Sequence, residues 1–333
     1  TAEMKVAQLA AFVAEKSAYH HGEVSLADTI VKLANDYMGS NNINLLEPCG
    51  QFGTRLMGGK DASQTRYIFT KLTKEARKIF DPRDDPILNS LDDDGRSIEP
   101  DFYMPTIPMV LVNGTEGIGT GFSCYVPPFN PRDIKENIQR ALEGHSFKDM
   151  SPWFRGFKGK VFKEDGTWIT EGVWRDTGSR LKVTELPPGR WTQDYKEYLD
   201  TLIEKKVISG FTNNSTTEDV DFEIMGYTGK DILKDLKLRK SFHTSNMHLF
   251  HPVKGIYKYS SPEEILKDFV DLRLEHYKKR REHLIKVLEV RSKMCGYKSK
   301  FVTMVIEGQI VVFKRKKDDL ERQLAGIFPK ING

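Results

Sequence analysis

Apolar residues recur at helical spacing from the start of the chain. Val6, Leu9, Ala10 and Val13 share one face over residues 3–18, which predicts an amphipathic helix. A second stripe, Leu26, Ile30, Leu33, Ala34 and Tyr37, predicts a helix that Ser25 caps and that runs to Met38. Beyond Asn41 the period is lost and the chain reads as extended, with turns. Residues 100–129 are rich in proline and glycine; the apolar run 109–112 and the glycines after it read as strand, glycine turns, strand. Residues 144–160 read as a linker. Over 157–225, Val161, Trp168, Val173, Leu181 and Val183 mark strands, a turn falls at Pro187, Pro188 and Gly189, and a helix is expected over 194–206. Ser261, Pro262, Glu263 and Glu264 form a cap, an N1 proline and an acidic first turn. The helix they open runs to about Met294. Its stripe is Leu266, Val270, Leu274, Tyr277, Leu284 and Leu288, with Arg281 as the exception. Such a helix is either an ordinary amphipathic surface helix or one arm of an antiparallel coiled coil. The short segment 316–324 is not long enough to be the whole returning arm.

Composition narrows the class. The chain has 333 residues, room for two or three domains, with 38% hydrophobic and 29% charged residues, as in a folded globular protein. No run of about 18 apolar residues occurs, so no membrane-spanning helix is expected. The first residues lack an initiator Met, open inside a helical pattern and do not form a signal peptide, which suggests a piece of a longer protein. The cysteines, Cys49, Cys124 and Cys295, are few and widely separated, which argues for a reducing compartment.

Charge is concentrated in one place. Residues 51–80 hold Arg55, Lys60, Arg66, Lys71, Lys74, Arg77 and Lys78 against Asp61 and Glu75, seven positive charges to two, while the whole chain carries only +4. Tyr67 stands in the middle, directly after Arg66. A tyrosine hydroxyl in a field of fixed positive charge suits attack on a phosphodiester, because the charge attracts nucleic acid, holds the phosphate and favours the phenolate. A packing tyrosine beside a solvated arginine is the plain alternative. The helices followed by short strands and a basic loop suit a winged-helix module, with Tyr67 on or near the wing.

Other chemistries fit less well. His21, Glu23, Pro48 and Cys49 match half of a deaminase zinc signature, but Phe52 occupies the place of the second cysteine, which leaves too few ligands. The glycines of residues 113–121 do not follow a phosphate-loop pattern. Ile118 among them is either part of a tight turn or a wedge that could enter a base step and kink DNA. His20 and His21, beside Tyr19, are either exposed helix-end residues or donors to a phosphate. Asp92, Asp93 and Asp94 read as a solvated turn, since three consecutive side chains on a strand cannot face one ion. No metal ligands are assigned.

Taken together, AYHHGEVSLADTIVKLA, NNINLLEPCGQFGTRLMGGKDASQTRYIFTKL and EPDFYMPTIPMVLVNGTEGIGTGFS resemble the breakage-reunion core of eukaryotic-type type IIA DNA topoisomerases. The likeness is close over residues 1–130 and looser beyond, where TELPPGRWTQDYKEYLD and SNMHLFHPVKG carry it. The resemblance implies an α+β multidomain fold: a winged-helix DNA-cleavage domain over 1–128, an α/β tower domain over 129–256, and over 257–333 the coiled coil and incomplete start of a dimer gate. It implies that Tyr67 is the nucleophile forming a 5′-phosphotyrosyl bond, that Arg66 stabilises the transition state, and that His21, with His20, contacts the active-site phosphate. Ile118 matches an intercalating isoleucine, and Tyr19, Ser25, Gln51, Arg55 and Lys60 fall in DNA-facing motifs. The implied partners are double-stranded DNA and a second copy of the chain, with no membrane. Mg2+ and ATP would serve the full-length enzyme through modules not found here, so this piece alone should cleave poorly or not at all. The compartment would be the nucleus if the source is cellular, or the nucleus or cytoplasm of a host cell if viral. The competing reading is a non-catalytic winged-helix DNA-binding or architectural module.

Overall fold

A short strand, β1 (Met4–Lys5), leads into α1 (Val6–Lys16), and α2 (Glu23–Ala34) packs across it. The computed structural model describes residues 2–251 and 253–329. Val6 and Ala10 meet Ala27, Ile30, Val31 and Ala34 in a core completed by Leu46, Phe52 and Ile68. The alanines let the helix backbones approach closely. Two expectations need correction. Ser25 is not the cap of α2: Gly22 holds that position, and Ser25 lies exposed in the first turn with its N–H donating to the Gly22 carbonyl. Nor does α2 reach Met38. The Asn41 side-chain amide donates to the carbonyls of Lys32 (2.6 Å) and Asn35 (2.9 Å), and this ends the helix by taking carbonyls that a further turn would have used.

β2 (Phe69–Thr70) pairs antiparallel with β1, setting Met4 opposite Thr70. A helical turn, α3 (Ala76–Ile79), precedes the hairpin of β3 (Ser90–Asp93) and β4 (Arg96–Pro100). Asp92 and Asp93 end β3. Asp94 (φ 51°) and Gly95 (φ 79°) make its turn, which Asp92 closes by accepting from the Gly95 N–H. Residues 109–112 form not a strand but a helical turn, α4 (Met109–Val112). Leu111 and Val112 are both fully buried, which neighbouring strand positions pointing to opposite faces do not achieve at the rim of a core. The glycines that follow do build a hairpin, β5 (Thr115–Gly119) with β6 (Phe122–Val126). Asn130 then caps α5 (Pro131–Leu142) by accepting from the Arg132 N–H.

Strands β7 (Lys160–Glu164), β8 (Thr167–Glu171), β9 (Val173–Asp176) and β10 (Arg180–Glu185) precede α6 (Thr192–Glu204). β11 (Gly210–Asn213), β12 (Phe222–Met225), α7 (Ile232–Asp235) and β13 (Arg239–Phe242) follow. One antiparallel sheet has the order β11-β12-β10-β9, a second β13-β8-β7. Leu181 and Val183 of β10 face Ile224 and Phe222 of β12 in register, and Tyr195, Leu199 and Leu202 of α6 cover them. Hairpin β14 (Met247–His251) and β15 (Gly255–Tyr259) joins a further core with α4, β6 and the start of α8 (Pro262–Ile306). Pro252 lies outside the described residues.

The cap of α8 is as expected: the Glu264 N–H donates to Ser261 Oγ at 3.2 Å. The stripe is not. Leu266 and Val270 are buried, but the next inward position is Arg273, not Leu274, which is 41% exposed. Arg273 is tolerated there because its guanidinium meets Asp84 at 2.8 Å and the Met104 carbonyl at 3.2 Å. The chain divides into two compact units, Thr1–Leu274 and Glu275–Gly333, so the expected boundaries near 128 and 256 both fall inside the first. In the second unit α8 continues past Met294, and α9 (Lys317–Ala325) returns beside it, with Phe328 packing against Tyr297 and Phe301. The last residues of the expected gate, 330–333, lie outside the described residues.

One buried ion pair ties the segment after α2 to the sheet of β10. Arg55, 4% exposed, donates to Glu185, which is fully buried and also accepts from the N–H groups of Leu186 and Lys158. Glu185→Ala leaves this guanidinium buried and uncompensated. Chemical denaturation is expected to show a loss of about 3 kcal/mol or more, against under 1 kcal/mol for an exposed pair; an unchanged midpoint would contradict the assignment.

Candidate functional site

Tyr67 sits on an irregular loop, yet backbone groups on both sides of it are tied. The Tyr67 N–H donates to the Gln64 carbonyl (2.9 Å), and the Phe69 N–H to the Cys49 carbonyl (3.0 Å). The carbonyls of Thr65 and Ile68 accept from the N–H groups of Ala7 (3.2 Å) and Val6 (3.0 Å), the first residues of α1, which have no partner within their own helix. Ile68, 2% exposed, enters the α1–α2 core, and alternation then turns Tyr67 outward at 67% exposure. The Arg66 guanidinium lies 5.0 Å from the centre of the Tyr67 ring, at cation–π distance.

The segment before the loop is fixed in the same way. The carbonyls of Arg55 and Leu56 accept from Thr192 (3.3 Å) and Gln193 (2.9 Å) at the N-terminus of α6. Gly58 has a positive φ of 60°, and a Cβ there would lie 2.2 Å from Trp191 Nε1, so only glycine lets the chain pass the indole. Asp61 accepts from the Thr54 backbone (2.9 Å) and hydroxyl (2.6 Å).

These contacts revise the charge count. Arg55 is buried and spent on Glu185, which gives it a structural role. Lys71 contacts Glu3 (3.1 Å) and Glu47 (3.2 Å), and these carboxylates raise its pKa above the usual lysine value. Arg66 and Lys60 are exposed, with no ion pair among the described residues. Both line an open groove of about 780 Å³ with Lys32 and Asp28 of α2. Lys32 is a cation that the hydrophobic pattern does not single out, because that pattern marks the buried stripe of α2 and not its outer face.

The other expected residues are distributed around this loop. Tyr19, His20 and His21 lie on the α1–α2 connection, both histidines exposed. The Tyr19 and His21 rings meet edge to face at 5.4 Å, and His20 Nε2 is 3.7 Å from Asp93. Gln51 is exposed, and its carbonyl holds the Ser63 N–H at 2.9 Å. Ser25 stands exposed on the first turn of α2. Ile118 is on strand β5 near the hairpin tip, not in the turn itself, and at 93% exposed has nothing packed over it. Among the described residues no three His, Cys, Asp or Glu side chains converge as a metal site.

Residues 1–331 match the model of the DNA gyrase/topoisomerase IV A-subunit family. The chain belongs to that family. It is 46% identical over 338 residues to the DNA topoisomerase 2 of Arabidopsis thaliana, covering 97% of this chain and 23% of the relative. It is 45% identical over 337 residues to the mitochondrial DNA topoisomerase 2 of Dictyostelium discoideum, covering 97% and 26%. The crystal structure of the Plasmodium falciparum topoisomerase II DNA-binding, cleavage and re-ligation domain superposes with a TM-score of 0.94 at 43% identity, over 98% of this chain and 46% of that one. The chain thus spans about a quarter of the length of the curated relatives it matches. One of them is named mitochondrial, so membership of the family does not by itself assign a compartment. No helix of the described residues is long and apolar enough to cross a membrane.

If Ile68 is what fixes the Tyr67 loop, Ile68→Ala should cost about 2–5 kcal/mol in stability. It should also speed hydrogen exchange at the Val6 and Ala7 amides more than at the buried strands of the β10 sheet. Uniform acceleration, or none, would count against the anchoring.

Proposed function

We propose that the chain is the DNA-cleavage and re-ligation core of a type IIA DNA topoisomerase, with Tyr67 as the nucleophile. The observation that carries this is an exposed phenol on a loop anchored to α1 and to Cys49, beside an exposed arginine with no ion pair among the described residues, in a chain whose relatives are named topoisomerase 2. A free phenol ionises near pH 10 and is a weak nucleophile at neutral pH. Fixed geometry and positive charge make up the deficit.

In the step itself the Tyr67 hydroxyl oxygen attacks the phosphorus of a DNA phosphodiester. Its P–O bond forms as the bond to the 3′ oxygen breaks. The phenol proton passes to solvent, the 3′ oxygen gains a proton, and a 5′-phosphotyrosyl ester remains. Arg66, free of acid partners, offsets charge on the five-coordinate phosphorus through charge-assisted hydrogen bonds. His21 and His20 contact the phosphate, and Tyr19, Ser25, Gln51 and Lys60 border the DNA path, joined by Lys32. Attack by the 3′ hydroxyl reverses the step with no net change in ester bonds, so resealing needs no ATP. Arg55 has no part in this contact surface.

Cutting both strands needs two such tyrosines and hence a twofold dimer. The exposed Leu284, Leu288 and Met294 of the second unit support a coiled-coil arm leading to a dimer gate. Within this reading residues 1–128 act as the winged-helix cleavage domain, 129–256 as the tower and 257–333 as the arm. Mg2+ and ATP belong to the whole enzyme. This reading assigns no residue of this chain to either. The nucleus is the proposed compartment.

The test is detergent trapping of covalent complexes by the full-length protein with Mg2+ and duplex DNA. Tyr67→Phe should abolish capture while leaving non-covalent affinity unchanged. Arg66→Ala should slow capture by roughly 10²-fold or more, the usual effect of removing a donor to a developing charge. Undiminished capture in Tyr67→Phe would move the nucleophile to another residue, and DNA binding by the wild type without any capture would favour the non-catalytic reading.

A further inference from the structure

Ile118 can act as a DNA wedge only if its hairpin resists being pushed back, and an isolated two-stranded hairpin is marginally stable. Gly117 and Gly119 flank Ile118 and Gly121 forms the tip, so strand β5 is itself compliant. The stiffness has to come from the partner strand. Directly opposite Ile118 in the register is Ser123. Its hydroxyl accepts from Asn246 Nδ2 at 2.9 Å, and its carbonyl lies 3.0 Å from His248 Nδ1. A second carbonyl, that of Asn246, lies 3.3 Å from the same nitrogen; both neighbours are acceptors, so Nδ1 carries the proton. The His248 ring also meets Phe122 edge to face at 5.5 Å, and the Tyr125 N–H donates to the Asn246 carbonyl at 3.3 Å. Between Asn246 and His248 stands Met247, wholly buried in the core that includes Leu266 of α8.

We propose that Asn246 and His248 are positioning residues that brace the Ile118 hairpin against the load of entering a DNA base step. The load path runs from the core through Met247 to Asn246 and His248, then to Ser123 and across the strand pair to Ile118. Wedging costs a few kcal/mol of unstacking, and a compliant hairpin would yield before the DNA did. This proposal rests on the reading of Ile118 as a wedge, and the test separates the two.

DNA bending is measured by energy transfer between the ends of a labelled duplex bound to the full-length protein. Affinity is measured in parallel for straight DNA and for a duplex already kinked by a short gap. Ile118→Ala serves as the reference. The double variant Asn246→Ala/His248→Phe keeps an aromatic ring against Phe122 but loses both donors. It is expected to lower the bending equilibrium roughly fivefold, the effect of losing about one net hydrogen bond, while binding the gapped duplex as wild type does. Adding the double change to Ile118→Ala should cost nothing beyond Ile118→Ala alone. Ser123→Ala, a milder change on an exposed strand, should move bending in the same direction. His248→Asn, which restores a short donor, should recover part of it. If Ile118→Ala abolishes bending and the double variant bends DNA normally, the brace is overturned while the wedge stands. If Ile118→Ala bends DNA as wild type does, the wedge fails and the brace with it. Equal loss of affinity for straight and gapped DNA would mark general damage and also overturn the positioning role.

Discussion

The loop that carries Tyr67 is held by carbonyl groups lent to helix N-termini. Thr65 and Ile68 satisfy the first N–H groups of α1, and Arg55 and Leu56 those of α6. Orphan N–H groups at a helix start must find a partner, and buried ones left unmatched are costly. Both helices therefore fix the segment, and the segment fixes them. Ile68 fills the α1–α2 core, so the next side chain back along the chain is driven outward. An exposed residue is thereby mounted on a backbone anchored on both sides, which suits a nucleophile acting on a large, external substrate.

The same economy explains the distribution of charge. A sum over residues 51–80 treats all seven cations as available, but buried charge must be paired, and Arg55 is. Its role is mechanical: it joins the segment before the Tyr67 loop to the sheet of β10 through Glu185. Lys71 is held by two carboxylates at the β1–β2 edge. What is left of the seven is Lys60, Arg66, Lys74, Arg77 and Lys78, all exposed, of which Lys60 and Arg66 border one groove with Lys32 from α2. The brace at Asn246 and His248 extends the pattern, since each exposed residue of interest is backed by one that reaches the core.

Elements whose signals are local were legible in the sequence. The α6 helix lies within two residues of its expected span, and Ser261 caps α8 as its side chain and the following acids predict. The family likeness was legible because it rests on three long motifs in a fixed order. What the sequence did not reveal depended on distant partners. α2 stops early because Asn41 turns back on it. Residues 109–112 are apolar enough for a strand but must bury two neighbours at once. Arg273 occupies a core position that periodicity gives to Leu274, because Asp84, far away in sequence, neutralises it. The carbonyl ties to α1 and α6 leave no side-chain signature.

The central claim is that this tied loop delivers Tyr67, and no other group, to DNA. The most direct measurement is mass spectrometry of the covalent complex after nuclease trimming and proteolysis, with the polarity of the attached DNA end determined separately. The account predicts a nucleotide remnant on the Tyr67 hydroxyl, linked through a 5′ phosphate, with a free 3′ hydroxyl on the other side of the break. A remnant on any other residue, or linkage through a 3′ phosphate, would contradict it.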